Sequence, residues 1–195
     1  MGVEIEAKMR VDDLSAIEAK VRDLGGTRIG DLTETDTFFD TDDRQFTNSD
    51  QALRLRVETD NDSGETTAIL TYKSKQAGGQ LKKRIEIETP VANANACRKL
   101  FEAIGYHQAF TYQKRRRRWR YTAGGKSCHV ELDTIPYLGN HVEIEGPDDE
   151  TVMHVREQLG LADAPLIATS YASMLMDHLI AAGDDSTKVM LPRRE

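Results

Sequence analysis

The sequence predicts an α+β fold of roughly eight strands and four helices, and two patterns carry that prediction. One is a unit that recurs three times: an alternating acidic strand, then an amphipathic helix, then a glycine that stops the helix. The other is a set of five strand-like stretches in which apolar residues alternate with ionised ones.

The first unit starts with Val3-Glu4-Ile5-Glu6. Leu14, Ile17, Val21 and Leu24 then fall at helical spacing; Asp12 or Asp13 can cap the start, and Gly25-Gly26 ends the helix. The second unit, Ile85-Glu86-Ile87-Glu88, leads to a helix in A-N-A-N-A-C-R-K-L-F-E-A-I that stops at Gly105. The third, Val142-Glu143-Ile144-Glu145, leads to a helix in D-D-E-T-V-M-H-V-R-E-Q-L that stops at Gly160. Further strands are expected at Asp36 to Asp40, Ala52 to Glu58, Thr67 to Lys75, Tyr112 to Tyr121 and Ser127 to Ile135. Turn signals stand at Asp60 to Gly64, Gly78-Gly79 and Gly124-Gly125. A last helix is expected from about Ser170 to Ala182, with Tyr171, Met174, Leu175, His178 and Leu179 on one face. A length of 195 residues suits a single domain, residues 1–182, with 183–195 as a flexible polar tail.

A net charge of −7 argues against broad capture of nucleic acid or of an anionic membrane. Neither partner is expected. The run from Lys114 to Arg118 is basic, but alternation splits it between two strand faces, with Arg115, Arg117 and Trp119 opposite Lys114, Arg116, Arg118 and Arg120. Cys97 and Cys128 fit no metal-ligand spacing and no disulfide framework. The start of the chain is charged from Glu4 onward and no apolar run could cross a bilayer, so a soluble cytoplasmic protein is expected. The five histidines share no motif; His129 alone falls on a charged strand face, beside Glu131.

The alternation bears on function. Val3, Ile5, Ala7 and Met9 share one face, while Glu4, Glu6, Lys8 and Arg10 share the other. Arg54, Arg56 and Glu58 oppose Leu53, Leu55 and Val57, and the same split recurs at Arg84 to Glu88, His129 to Asp133 and Val142 to Glu145. A solvated sheet face would show the same period. However, glutamates two residues apart on three strands repel one another unless something compensates them. Divalent cations can take the carboxylates, and a polyanion can take the interleaved Lys and Arg. Both signs on one face therefore point to a site for a metal–polyphosphate complex, for which a closed barrel with helices outside is one setting.

The motifs that carry this pattern resemble those of the CYTH superfamily, which groups class IV adenylate cyclases, thiamine triphosphatases and inorganic triphosphatases. E-x-E-x-K (Glu4, Glu6, Lys8) is followed in order by D-T-F-F-D (Asp36 to Asp40), A-L-R-L-R (Ala52 to Arg56) and L-T-Y-K (Leu70 to Lys73). R-I-E-I-E (Arg84 to Glu88), K-R-R (Lys114 to Arg116), L-D-T-I-P-Y-L-G-N-H-V-E-I-E (Leu132 to Glu145) and S-Y-A-S-M-L complete the series. The chain looks most like the class IV adenylate cyclase branch. Ser74, where that branch often has glycine, and His141, where it has an aromatic residue, depart from the pattern.

The resemblance implies an antiparallel eight-stranded closed β-barrel, a tunnel with a charged interior and helices packed outside. It implies Glu4, Glu6, Asp133, Glu143 and Glu145 as ligands of Mg²⁺ or Mn²⁺, with Glu86, Glu88 and Glu131 as supporting or second-metal residues. Lys8, Arg54, Arg56, Lys73, Arg84, Lys114 and Arg116 would grip a triphosphate such as ATP or tripolyphosphate, with Lys8, Glu4 and Glu6 nearest the reaction. The implied activity is ATP cyclisation, or alternatively triphosphate hydrolysis. A binding module without turnover is the third reading. A homodimer is compatible with the family.

Overall fold

The computed structural model describes residues 2–78 and 81–192, the side chains of residues 2–4 excepted. Its eight main strands are β1 (Gly2–Arg10), β2 (Thr27–Asp40), β3 (Ala52–Asp60), β4 (Thr66–Lys73), β5 (Lys82–Pro90), β6 (His107–Ala123), β7 (Lys126–Ile135) and β8 (Gly139–Glu145). They pair antiparallel in the order β2-β3-β4-β5-β1-β8-β7-β6, and β6 returns to β2, so the sheet closes on itself. Closure removes the sheet edges and separates an inner from an outer face.

The β2–β6 seam is longer than the sequence pattern suggests. It runs from Thr27↔Arg120 to Asp40↔His107, with register shifts at Arg28/Gly30 and Phe38/Phe39. Thr and Gly between residues 27 and 35 hide the strand period, but Leu32, Glu34 and Asp36 still alternate inward and are buried. A short helix, α2 (Gln45–Asn48), is an addition to the expected elements. Asp40 holds it: the carboxylate accepts from the amides of Phe46 and Thr47, each at 2.9 Å, and from the Thr47 hydroxyl at 2.6 Å.

The expected helices form, and each is capped at its start by a side chain, the first by one of the two aspartates expected there. In α1 (Leu14–Asp23) Asp13 accepts from the Ser15 amide at 2.8 Å. In α3 (Ala94–Ala103) Asn93 accepts from Ala96 at 2.9 Å. In α4 (Asp149–Gln158) Asp148 accepts from Thr151 at 2.9 Å, and in α5 (Tyr171–Ala182) Ser170 accepts from Ser173 at 3.1 Å. Gly26 after α1 is fixed by space: a Cβ there would lie 2.6 Å from Val21 Cγ1.

Helices α1 and α4 cover the outer face of β1, β6, β7 and β8. Leu14, Ile17, Val21, Val152 and Val155 pack on Met9, Trp119, Val130, Leu132, Val142 and Ile144. Each such side chain fully buried contributes about 1.5–3 kcal/mol. A second cluster joins Phe110, Tyr112 and Ile135 to Tyr171, Leu175 and Leu179 of α5. Val189 belongs to this cluster, because Lys188–Val189 forms β9, a parallel strand on β6, within the segment expected to be a tail. The apolar face of the middle acidic repeat behaves differently from the other two. Ile85 and Ile87 are 43 % and 49 % exposed, since the cover of α1 and α4 extends over β1, β8, β7 and β6 and stops short of β5. No described helix is long and apolar enough to cross a membrane.

A charged tunnel as the candidate active site

Inside the barrel, the strand period collects the ionised residues. Two cross-strand rows can be followed through the register. Lys82, Glu6, Glu145 and His129 face one another in turn across β5, β1, β8 and β7; one step along, Lys8, Glu143, Glu131 and Arg118 do the same across β1, β8, β7 and β6. The lumen is a cavity of about 910 Å³.

Arg116 is the hub. Its guanidinium meets Asp133 through Nε–Oδ1 at 2.7 Å, and also contacts Glu131, Glu143 and, at 3.8 Å, Glu34. Lys114 lies 3.2 Å from Glu34 and 3.3 Å from Asp133. Lys8 lies 3.1 Å from Glu143 and 3.5 Å from Glu6, and Lys82 donates to Glu6 at 2.8 Å. On the facing wall Arg56 forks onto Asp36 at 2.6 and 2.8 Å and reaches Glu34 at 3.0 Å. Arg54 donates to Thr71 at 3.1 Å and lies near Asp36 and Glu88. Charges this deeply buried are tolerable only when paired and hydrogen-bonded.

The pairing governs their protonation. Burial alone would raise the pKa of Glu143, Glu34 and Asp36. The surrounding cations outweigh it: Lys8 and Arg116 for Glu143, Arg116 and Arg56 for Glu34, and Arg56 and Arg54 for Asp36. All three stay ionised, well below the usual carboxylate range. Against their burial, Asp36 and Glu34 hold Arg56, and Asp133 and Glu131 hold Arg116, well above the ordinary guanidinium value. Glu58 is the exception. Burial, reinforced by Glu34 opposite it, pushes its pKa up.

All seven expected substrate-gripping residues (Lys8, Arg54, Arg56, Lys73, Arg84, Lys114 and Arg116) line this one cavity. Lys73 pairs with Glu86, while Arg84 reaches Asp50 at 2.7 Å and so ties the mouth of the tunnel to the segment after α2. Of the expected metal ligands, Glu6, Glu143 and Glu145 line the cavity; Asp133 is wholly buried behind Arg116. The side chain of Glu4 lies outside the described residues; its backbone stands opposite Arg84. Glu131 takes Arg118 at 2.9 Å, and Glu88 accepts from Thr71 at 2.8 Å. Glu6, Glu143 and Glu145 are hard oxygen donors on two adjacent strands, a set that fits Mg²⁺ or Mn²⁺ chemically. Among the described residues, no three acidic, His or Cys side chains are already gathered into a metal-holding group.

The sequence reading did not single out Glu34, Asp36, Lys82 or Tyr171 as site residues. The first two were legible in the E-T-D spacing that leads into D-T-F-F-D. His141 is fully buried beside Tyr171, and burial keeps its pKa low.

A family model for the CYTH domain matches residues 2–171. The chain belongs to the CYTH family. Among curated relatives of this CYTH protein is one named "Putative adenylate cyclase MJ0240" from Methanocaldococcus jannaschii, 24 % identical over 88 % of this chain and 98 % of that one. The fold is shared with the PH1819 protein of Pyrococcus horikoshii, at a TM-score of 0.76 and 24 % identity over 90 % of this chain and 99 % of that one. It is shared too with a Hippeastrum protein described as an adenylyl cyclase candidate with a dominant triphosphatase activity. There the TM-score is 0.61, with 17 % identity over 94 % of this chain and 97 % of that one.

Proposed function

We propose that this CYTH protein is a metal-dependent enzyme acting on a triphosphate inside the tunnel, as a class IV adenylate cyclase that converts ATP to cyclic AMP and pyrophosphate. The observation that supports this best is the set of seven cations lining one cavity inside the closed barrel, each already oriented by a carboxylate and five of them buried. Such donors need little reorganisation when a triphosphate arrives, which is the condition for strong electrostatic stabilisation of phosphoryl chemistry. In the cyclase reaction the ribose 3′-oxygen bonds to the α-phosphorus and gives up its proton to water, the bond to the bridging oxygen breaks, and pyrophosphate leaves with that electron pair. Lys8, Lys114, Arg116, Arg54 and Arg56 would hold the phosphate oxygens in line and offset charge on the leaving group. Glu6, Glu143 and Glu145, with Glu4, would hold the divalent ion, which supplies further charge neutralisation when bound. Asp133, gripped by Arg116, would serve that set by orienting the guanidinium unless it gives up one of these bonds.

Phe38, Phe46, Phe110 and Tyr112 along the same cavity favour a substrate with an aromatic base, and hence the cyclase reading. Hydrolysis of a triphosphate is the second reading. It is favoured by the tunnel's ionised residues, which answer to metal and phosphate and mark no base for the ribose hydroxyl. The test is incubation with ATP and with tripolyphosphate, each with Mg²⁺ or Mn²⁺, followed by product identification. Cyclic AMP with pyrophosphate supports the cyclase, and orthophosphate release supports the hydrolase. Tight binding without turnover would overturn both in favour of a binding module.

A further inference from the structure

The S-Y-A-S-M-L stretch has no part in the chemistry described so far, yet it enters the tunnel. The Ile167 amide donates to the Lys8 carbonyl at 2.9 Å, and Lys8 Nζ donates to the Thr169 carbonyl at 3.2 Å. The segment leading into α5 is thereby laced to β1. This brings the Tyr171 ring to two ammonium groups, with Lys8 Nζ 4.2 Å and Lys114 Nζ 5.2 Å from its centroid. His141 meets the same ring edge-on, at 5.2 Å between centroids and 77° between planes, and so fixes its orientation. The ring is 4 % exposed, and among the described residues its hydroxyl has no hydrogen-bond partner. The contact with the lysines is therefore made by the ring face.

The geometry points to Tyr171 as a positioning residue that holds Lys8 and Lys114 for the triphosphate through the negative face of its ring. The inference rests on the proposed triphosphate site. Apart from the Thr169 carbonyl on Lys8, the other partners of these lysines are carboxylates: Glu6 and Glu143 for Lys8, Glu34 and Asp133 for Lys114. Carboxylates change partners when a divalent ion and a polyanion enter. An aromatic face neither titrates nor ligates Mg²⁺, so it can keep the two ammonium groups in place through that exchange. Cation–π attraction is also strongest where water is excluded, as it is here.

The test compares Tyr171→Leu, Tyr171→Phe and a series of progressively fluorinated phenylalanines at position 171, which weaken the ring face while preserving its shape. Tyr171→Leu is expected to lower kcat about tenfold or more, roughly the scale of one desolvated cation–π contact. KM should change less, because five other cations still bind the substrate. Tyr171→Phe should rescue kcat, and each added fluorine should lower it again. Equal damage in Tyr171→Phe and Tyr171→Leu, or no trend with fluorine number, would overturn the inference. Covalent acetylation of Lys8 and Lys114, read by mass spectrometry in the protein without substrate, gives an answer independent of turnover. It should quicken along the fluorinated series, and unchanged labelling would also overturn the inference. A wild-type protein that turns over no triphosphate would instead overturn the proposed function, and the labelling would still decide the role of Tyr171.

Discussion

Arg116 and Asp133 form a bidentate pair, Nε to Oδ1 at 2.7 Å and Nη2 to Oδ2 at 2.5 Å, with both side chains sealed from solvent. They stand directly opposite each other across β6 and β7, so backbone register sets the match. The same guanidinium also reaches Glu131 and Glu143. With Glu34 at 3.8 Å, one cation therefore neutralises carboxylates from three strands and orients the wall that the substrate would meet.

Removing that cation should be costly. Arg116→Met leaves Asp133 buried with, among the described residues, Lys114 as its one remaining cation, and breaking a buried ion pair from one side costs about 3–5 kcal/mol. Urea unfolding at neutral pH should show a loss of that size. Arg116→Lys keeps the charge without the fork and should recover only part of it. A Met variant as stable as the wild type would mean that the buried carboxylates find other partners.

Acid should loosen the barrel from the outside first. Asp31 accepts Arg115 at 2.9 and 2.6 Å, Arg28 at 3.0 Å and Asn61 at 2.8 Å. Burial opposes its ionisation, but the hydrogen bonds from Arg115 and Asn61 prevail and lower its pKa from 3.8 to about 2. A depressed carboxylate pKa stabilises the fold above the unfolded value, and the contribution is lost as pH falls through the folded one. The melting temperature should thus drop between pH values of about 4 and about 2. Asp31→Asn should lie below the wild type at pH 7, by a gap that closes across that window. Glu34, Asp36 and Glu143 carry the same sign further into acid.

Glu143 should separate catalysis from folding. It takes Lys8 at 3.1 Å and Arg116 on its two oxygens. Glu143→Gln keeps the shape and a hydrogen-bond acceptor but loses the negative charge. Metal-dependent turnover is expected to fall about a hundredfold or more, the scale for losing one electrostatic group at a reaction centre. The circular dichroism spectrum should be unchanged. Chelation should silence the wild type, and added Mg²⁺ or Mn²⁺ should restore it. Full activity in Glu143→Gln would remove this residue from the metal set.

The charged lining was legible because strand period two writes it on the sequence, whereas closure of the barrel was expected only from the resemblance to the CYTH motifs. Glu6, Lys8, Arg54, Arg56 and Glu143 alternate with apolar neighbours, and all of them line the cavity. Local pattern could not rank the three acidic repeats. β1 and β8 are neighbours, which brings Glu6 opposite Glu145, whereas Glu86 faces Lys73 across β5 and β4. Tyr171 escaped notice for a different reason. It sits on a helix, where it reads as one member of an apolar face, and only the tertiary contact with β1 turns it toward Lys8. Asp40 likewise read as part of a strand motif, although its carboxylate caps α2.

Glu58 offers a test with the opposite sign. It faces Glu34 across β2 and β3, and its nearest cations are Arg118 at 3.5 Å and Arg56 at 3.9 Å. Those cations are already engaged, Arg118 by Glu131 and Arg56 by Asp36. Burial first, and then Glu34, raise the pKa of Glu58 above 4.5. In that case the folded state holds the proton more tightly than the unfolded one, so stability falls as pH rises through the window above 4.5. Glu58→Gln removes this penalty while keeping the side chain's size. The variant should melt at a higher temperature than the wild type at pH 7, and the two should converge below a pH of about 4. A variant less stable than the wild type at pH 7 would mean that Arg118 depends on the Glu58 charge. Comparing the melting curves at pH 4 and pH 7 decides between the two.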